Sequence, residues 1–304
     1  MAKRSAPQAH LARVVRTEQL TPHMRRVVLG GEGLARFEAG EFTDHYVKLL
    51  FPPAGVEYPE PFDIQRIRAE LPRETWPVTR TYTVRAWDPE RRELTLDFVV
   101  HGDEGLAGPW ATRVRPGDSI RLLGPGGAYA PDPAADWHLL AGDESAIPAI
   151  ATALEALPAG ATARVFLEVE GPEEEQKIAT DAEIVWLHRG TAQVGSALVE
   201  AVRALDFPPG RVHAFVHGEA GFVRELRRLL RMEHRIPREQ LSVSGYWRLG
   251  HNEDGWQASK RDWNAQVEAE QEGRREDAAS PADGAAGATD GATTATAGAG
   301  NRAA

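Results

Sequence analysis

Between residues 11 and 123, apolar and polar positions alternate in short runs. Residues 11–16, 25–29, 46–51, 80–87, 93–100 and 119–123 are rich in β-branched and aromatic side chains and are bounded by Gly, Pro or Asp turns. Period-two runs of this length predict strands, and Asp88-Pro89-Glu90-Arg91-Arg92 predicts a hairpin connection. Six short strands in succession predict a small antiparallel barrel. Residues 105–114 predict one short helix between the fifth and sixth strands.

The pattern changes after Pro131-Asp132-Pro133, a natural boundary. Strands predicted over 137–141, 164–169, 183–188, 212–216 and 241–247 alternate with helical patterns over 145–157, 195–205 and 221–233. Such alternation predicts an open parallel sheet with right-handed crossovers. Residues 257–275 are charged and Ala-bearing and predict a surface helix. From Glu276 the chain is mostly Ala, Gly, Thr and Asp, with no aromatic residue. That composition buries too little to offset ordering entropy, so disorder is expected there. The expected division is therefore 1–131, 132–275 and 276–304.

Composition narrows the chemistry. The chain has 304 residues, enough for two ordinary domains. It has no cysteine, which excludes disulfides, Cys-ligated metals and a Cys nucleophile. The net charge of -10 argues against nucleic acid and anionic membranes as partners. No run of about 18 apolar residues offers a membrane span. The basic N-terminus lacks an apolar h-region, so a cytoplasmic protein is expected, as a monomer. There is no G-x-S-x-G and no Gly-Lys-[Ser/Thr]. His213 and His217 lie on one predicted strand, about 13 Å apart, too far to chelate one metal.

Three stretches carry candidate chemistry. In Arg80-Thr81-Tyr82-Thr83, period two puts Arg80 and Tyr82 on one face. Arg grips phosphate bidentately, Tyr lies flat against an aromatic ring, and the Thr83 hydroxyl reaches a ring nitrogen. The same tetrapeptide also reads as an ordinary exposed strand. His101-Gly102-Asp103-Glu104-Gly105-Leu106-Ala107-Gly108-Pro109-Trp110-Ala111 places small residues before a helix, where backbone N–H groups favour an anion. It equally reads as a loop leading into a helix. Lys48 points away from the core positions Val47, Leu49 and Phe51; with Arg248 at the far sheet edge it could form an anion-attracting groove.

Together these stretches resemble the siderophore-interacting proteins, FAD-containing ferric-siderophore reductases of the ferredoxin-reductase-like superfamily. The resemblance runs from about residue 10 to about residue 260. It also rests on Val47-Lys48-Leu49-Leu50-Phe51-Pro52, on the segment from Gly142 to Ile150, on Gly245-Tyr246-Trp247-Arg248 and on Glu253-Asp254-Gly255-Trp256. Tyr46 stands where His is frequent in that family, and Gly108-Pro109 where Ser and a variable residue precede the Trp. The resemblance implies a six-stranded antiparallel FAD-binding barrel followed by an open parallel α/β NAD(P)-binding domain. It assigns Arg80, Tyr82 and Thr83 to the flavin, and Ala107 and Gly108, with His101 and Gly105 before them, to its pyrophosphate. The turn Gly142-Asp143-Glu144-Ser145-Ala146 is assigned to the nicotinamide dinucleotide, and the groove of Lys48 and Arg248, read from strand alternation, is then the expected site of the ferric siderophore. Asp143 and Glu144 also suit a helix N-terminus as caps. Glu168 and Glu170 favour an unphosphorylated ribose, whereas Arg189 favours a 2′-phosphate, so NADH and NADPH both remain open. Other acceptors, or siderophore or flavin carriage without turnover, remain open as well.

Overall fold

The computed structural model describes residues 9–103 and 105–279. Six strands, β1 (Ala9–Thr21), β2 (Met24–Gly30), β3 (Tyr46–Phe51), β4 (Val78–Asp88), β5 (Glu93–Val99) and β6 (Ser119–Gly126), close an antiparallel barrel in the order β1-β2-β5-β4-β3-β6. The apolar half of each alternation turns inward, and Val14, Val27, Leu49, Leu96 and Leu122 meet in its core. The β3–β4 connection holds a short helix that the pattern did not predict, α1 (Ile64–Glu70). Asp63 caps it by accepting from the Gln65 and Arg66 N–H groups. Helix α2 (Ala107–Arg113) follows β5 and buries Ala107 and Ala111 against the barrel core.

Five parallel strands follow: β7 (Trp137–Gly142), β8 (Ala163–Val169), β9 (Ile184–His188), β10 (Val212–Glu219) and β11 (Leu241–Trp247). Their spatial order is β11-β10-β7-β8-β9. Alternate residues of β7 serve opposite layers. Leu140 packs with Ile147 and Ile150 of α3 (Ile147–Glu155) on one face. Leu139 and Ala141 pack with α4 (Ser196–Ala204) and α5 (Ala220–Arg228) on the other. The strand order reverses between β7 and β10, which opens a crevice at their carboxyl ends.

Two elements depart from expectation. The helix predicted over 221–233 is α-helical only to Arg228, and Leu229–Glu233 is a π-helical turn. The surface helix begins earlier and ends later than predicted, as α6 (Glu253–Ala279). Most of the expected disordered tail, residues 280–304, lies outside the described residues. Among the described residues no helix is long and apolar enough to cross a membrane.

Candidate functional site

A cleft of about 580 Å³ runs between the outer face of β3 and β4, the carboxyl ends of β7, β10 and β11, and the first turns of α6. Strand pairing dictates its barrel wall. Tyr46 lies opposite Thr83 and Lys48 opposite Thr81, so these four side chains share one face. Val47 and Leu49, fully buried, lie opposite Tyr82 and Arg80. Tyr82 accordingly packs toward the barrel core, its ring 4.2 Å from that of Phe98, while still lining the cleft. Burial raises its hydroxyl far above the usual tyrosine range. Thr83 is buried and shares a hydrogen bond with the equally buried hydroxyl of Tyr246, which reaches across from the sheet.

Arg80 is engaged within the chain. Its Nη1 donates to the Thr79 carbonyl at 2.8 Å and to Asp254 Oδ1 at 2.9 Å, and Nη2 donates to Asp254 Oδ2 at 3.0 Å. Nε faces Glu253 Oε2 at 3.4 Å. A guanidinium has five N–H donors, so one is left.

At the sheet edge, Gly142 is required by close approach: a Cβ there would stand 2.5 Å from the Ala146 Cβ and 2.7 Å from the His217 carbonyl oxygen. Asp143 is fully buried and accepts from the Ser145 N–H and hydroxyl, the Glu219 N–H and the Trp247 indole N–H. Burial pushes its carboxyl up to about 6 against the pull of these bonds. Asp143 thus closes a tight turn before α3, whose first residues have no side-chain cap, and it ties the ends of β7, β10 and β11 together. Glu144 pairs with Arg189 at 2.5 Å, both largely buried, and Ser145 lines the cleft beside it. Glu168 is fully buried and accepts from the Gly195 and Leu198 N–H groups at the start of α4. None of Glu168, Glu170 and Arg189, the three residues that bore on NADH versus NADPH, is free of an internal partner; Glu170 faces His23 Nδ1 at 3.3 Å.

His101 lines the cleft at the end away from Lys48, with its ring 6.3 Å from that of His23. Burial, then the neighbouring His23, lowers its pKa. Gly105, with φ at 81°, needs the freedom of glycine. Ala107 and Gly108 open α2 behind β5, and neither lines the cleft. Among the described residues no group of three His, Asp or Glu side chains could hold a metal ion.

The sequence reading missed the wall built by α6. Glu253, Trp256 and Lys260 recur at helical spacing and all line the cleft. The signal was present, but the predicted helix began at residue 257. Trp256 is fully buried against Gly245, where a Cβ would stand 3.0 Å from its ring. Lys260 is half-buried; burial, and then the charge of Lys48, pulls its ammonium below the ordinary lysine value. Lys48, Lys260 and Arg248 therefore line one cleft. His217 is buried beside them, its Nε2 on the Ser242 hydroxyl at 2.9 Å.

An antiparallel barrel, a parallel sheet and a shared cleft define a ferredoxin-reductase-like protein. Residues 13–129 match the siderophore-interacting FAD-binding domain and residues 135–250 match the siderophore-interacting protein family. The chain belongs to the siderophore-interacting protein family. It is 48% identical over 269 residues to an uncharacterized protein of Mycobacterium tuberculosis, covering 83% of this chain and 95% of that one. It is 37% identical over 255 residues to the ferric vibriobactin reductase ViuB of Vibrio cholerae, covering 80% and 90%. The crystal structure of a siderophore utilization protein from T. fusca superposes with a TM-score of 0.69 at 38% identity, covering 81% and 94%. An Amycolatopsis cytochrome P450 reductase, at 18% identity and TM-score 0.55, shares the fold, covering 79% and 69%.

The cleft itself fits a flavin. Its volume is that of a cofactor pocket. Tyr82, Val99, Pro148 and Trp256 give it an apolar, aromatic lining, with the hydroxyls of Thr81, Thr83 and Ser145 as polar groups. A planar ring with hydrogen-bonding edges matches that donor set.

Proposed function

We propose that this protein is a ferric-siderophore reductase that uses FAD and takes electrons from NAD(P)H. The observation that carries the reading is the cationic end of the cleft. Lys48, Lys260 and Arg248 all line that cleft, in a chain whose net charge is -10. A protein of that charge repels anions at long range, so a local positive cluster selects for one at this spot. The name of the Vibrio cholerae relative supports the same acceptor.

Tyr82 and Thr83 would hold the flavin ring in the middle of the cleft. Bound FAD supplies the conversion of a two-electron hydride into single-electron transfers. Hard oxygen ligands bind Fe(III) far better than Fe(II), so reduction frees the iron. The chain itself has three tasks. Tyr82 and Trp256 exclude water from the middle of the cleft, the Tyr246–Thr83 bond fixes the threonine hydroxyl, and the cations draw in the chelate. The nicotinamide would approach from the His101 and Ser145 end. The reading carries with it a cytoplasmic monomer.

Anaerobic mixing tests it. Purified flavoprotein should be bleached by NADH or NADPH and reoxidised by a ferric chelate with release of Fe(II). Bleaching without reoxidation by any ferric chelate would point to another acceptor. No bleaching by either nucleotide would remove NAD(P)H as donor.

A further inference from the structure

Arg80, which the resemblance assigns to the flavin, is also held by the start of α6. Asp254 takes two N–H groups of Arg80 in a fork, and Glu253 faces a third. Such bidentate, charge-assisted contacts are strong and directional. Glu253 does more. The β4–β5 ladder begins only at Val84, so the stretch of β4 before it has an edge not covered by β5. Glu253 Oε1 accepts the Thr81 N–H there at 3.0 Å. A carboxylate thus stands in for the missing strand. Asn252 caps the helix by accepting from the Gly255 N–H. Farther along, Arg224 pairs with Glu270 and Arg238 with Glu268. Helix α6 is therefore fastened to the barrel at one end and to the α/β unit farther along, spanning the cleft.

This fastening decides where Lys260 stands. Glu253, Trp256 and Lys260 lie on one face, so the first turn sets the azimuth of the lysine two turns later. We propose that Asp254 and Glu253, acting through Arg80 and Thr81, are positioning residues that hold Lys260 in the cleft that Lys48 lines and so complete the site for an anionic ferric chelate. The proposal rests on the reductase reading above. It gives Arg80 a second task, as a clasp for α6, beside the flavin. Burial, and then repulsion from Lys48 in the same cleft, pulls Lys260 below its ordinary pKa. A bound anion relieves that repulsion, and without the clasp the first turn of α6 loses its hold on the barrel.

The test uses Asp254→Asn and Asp254→Glu in the full-length flavoprotein, alone and with Lys260→Ala. The probes are iron(III) tris-catecholate, an anion, and a neutral iron(III) tris-hydroxamate. Asp254→Asn should raise KM for the catecholate roughly 3- to 10-fold, the loss of about one fixed charge contact. FAD content, flavin reduction rate and kcat should stay at wild-type values, and the hydroxamate KM should not move. Asp254→Glu should restore the catecholate KM. In the Lys260→Ala background, Asp254→Asn should add nothing. Additive losses, or equal loss for the neutral chelate, would overturn the positioning role, and so would loss of FAD. Hydrogen exchange of the α6 amides supplies a reading without turnover. Exchange should quicken over the first two turns in Asp254→Asn, and unchanged exchange would overturn the clasp. A wild-type protein that neither binds nor reduces either chelate would overturn the reductase reading instead, with exchange still deciding the clasp.

Discussion

Lys260 and His217 sit side by side in character as well as place: both are bases whose charge is disfavoured by burial. For Lys260 the consequence is a strong attraction to any anion that enters. Replacing it by alanine should raise KM for an anionic ferric chelate roughly fivefold, equivalent to about 1 kcal/mol. Added salt should shrink that gap, since exposed charges are screened beyond about 8 Å at physiological ionic strength. Steady-state kinetics at two ionic strengths check both. For His217 the consequence is a pH dependence of stability. Burial pulls its pKa down to about 3 from an ordinary 6.5. Between those values the unfolded chain binds a proton that the folded chain refuses, so acid favours unfolding. Relative to His217→Gln, wild type should lose up to about 1.4 kcal/mol per pH unit as pH falls from 6.5 toward 3. Asp143, raised to about 6, acts in the opposite sense below pH 6 in both proteins and cancels in the comparison. Urea titrations of the two at several pH values read the difference.

At the scale of elements, the sheet edge is held by carboxylates where a nucleotide-binding protein often presents free N–H groups. Glu168 takes the Gly195 and Leu198 N–H groups of α4, and Glu219 takes those of Gly221 and Phe222 in α5. These are caps supplied by strand ends to helices, and they fix the crossover geometry. Glu168→Ala should cost about 2 kcal/mol or more, because it leaves two buried donors unmet. A lower urea midpoint with unchanged flavin content is the expected result. An unchanged midpoint would mean that water reaches those donors.

At the scale of the whole molecule, the barrel and the sheet are joined by more than α6. Glu174 leaves the α/β unit and enters the β1–β2 hairpin. Its carboxylate accepts from the Thr21 hydroxyl at 2.5 Å and from the His23 N–H at 3.1 Å. The His23 ring lies 2.8 Å away, and the carboxylate is nearly inaccessible to solvent. On the other side, Tyr129 packs against His213 and Phe215 with its ring tilted to both. Glu174→Ala should lower stability by about 1–3 kcal/mol and loosen the junction. Barrel and sheet should then unfold at separable temperatures when followed by flavin fluorescence and far-UV circular dichroism. A single coincident transition would show that Tyr129 and α6 suffice to couple them.

What the sequence by itself determined is local or repetitive. Period-two runs specified six barrel strands, and alternating strand and helix patterns specified the parallel sheet, because neighbouring residues carry that information. The motif from Arg80 to Thr83 and the exposed lysine on β3 were legible for the same reason. The partners of charged groups were not. Arg80 and Asp254 are 174 residues apart, and nothing near either names the other. Asp143 read equally well as a cofactor contact or a cap, and only the arrival of Glu219 and Trp247 made it a tie between strand ends. Glu168 and Arg189 read as nucleotide selectors, and nothing in the sequence showed that folding brings Gly195 to one and Glu144 to the other. Lys260 was hidden on a helix taken for surface. A carboxylate or guanidinium carries the same chemistry wherever it stands, and its use is decided by what lies within about 3 Å, a distance that only the tertiary structure sets.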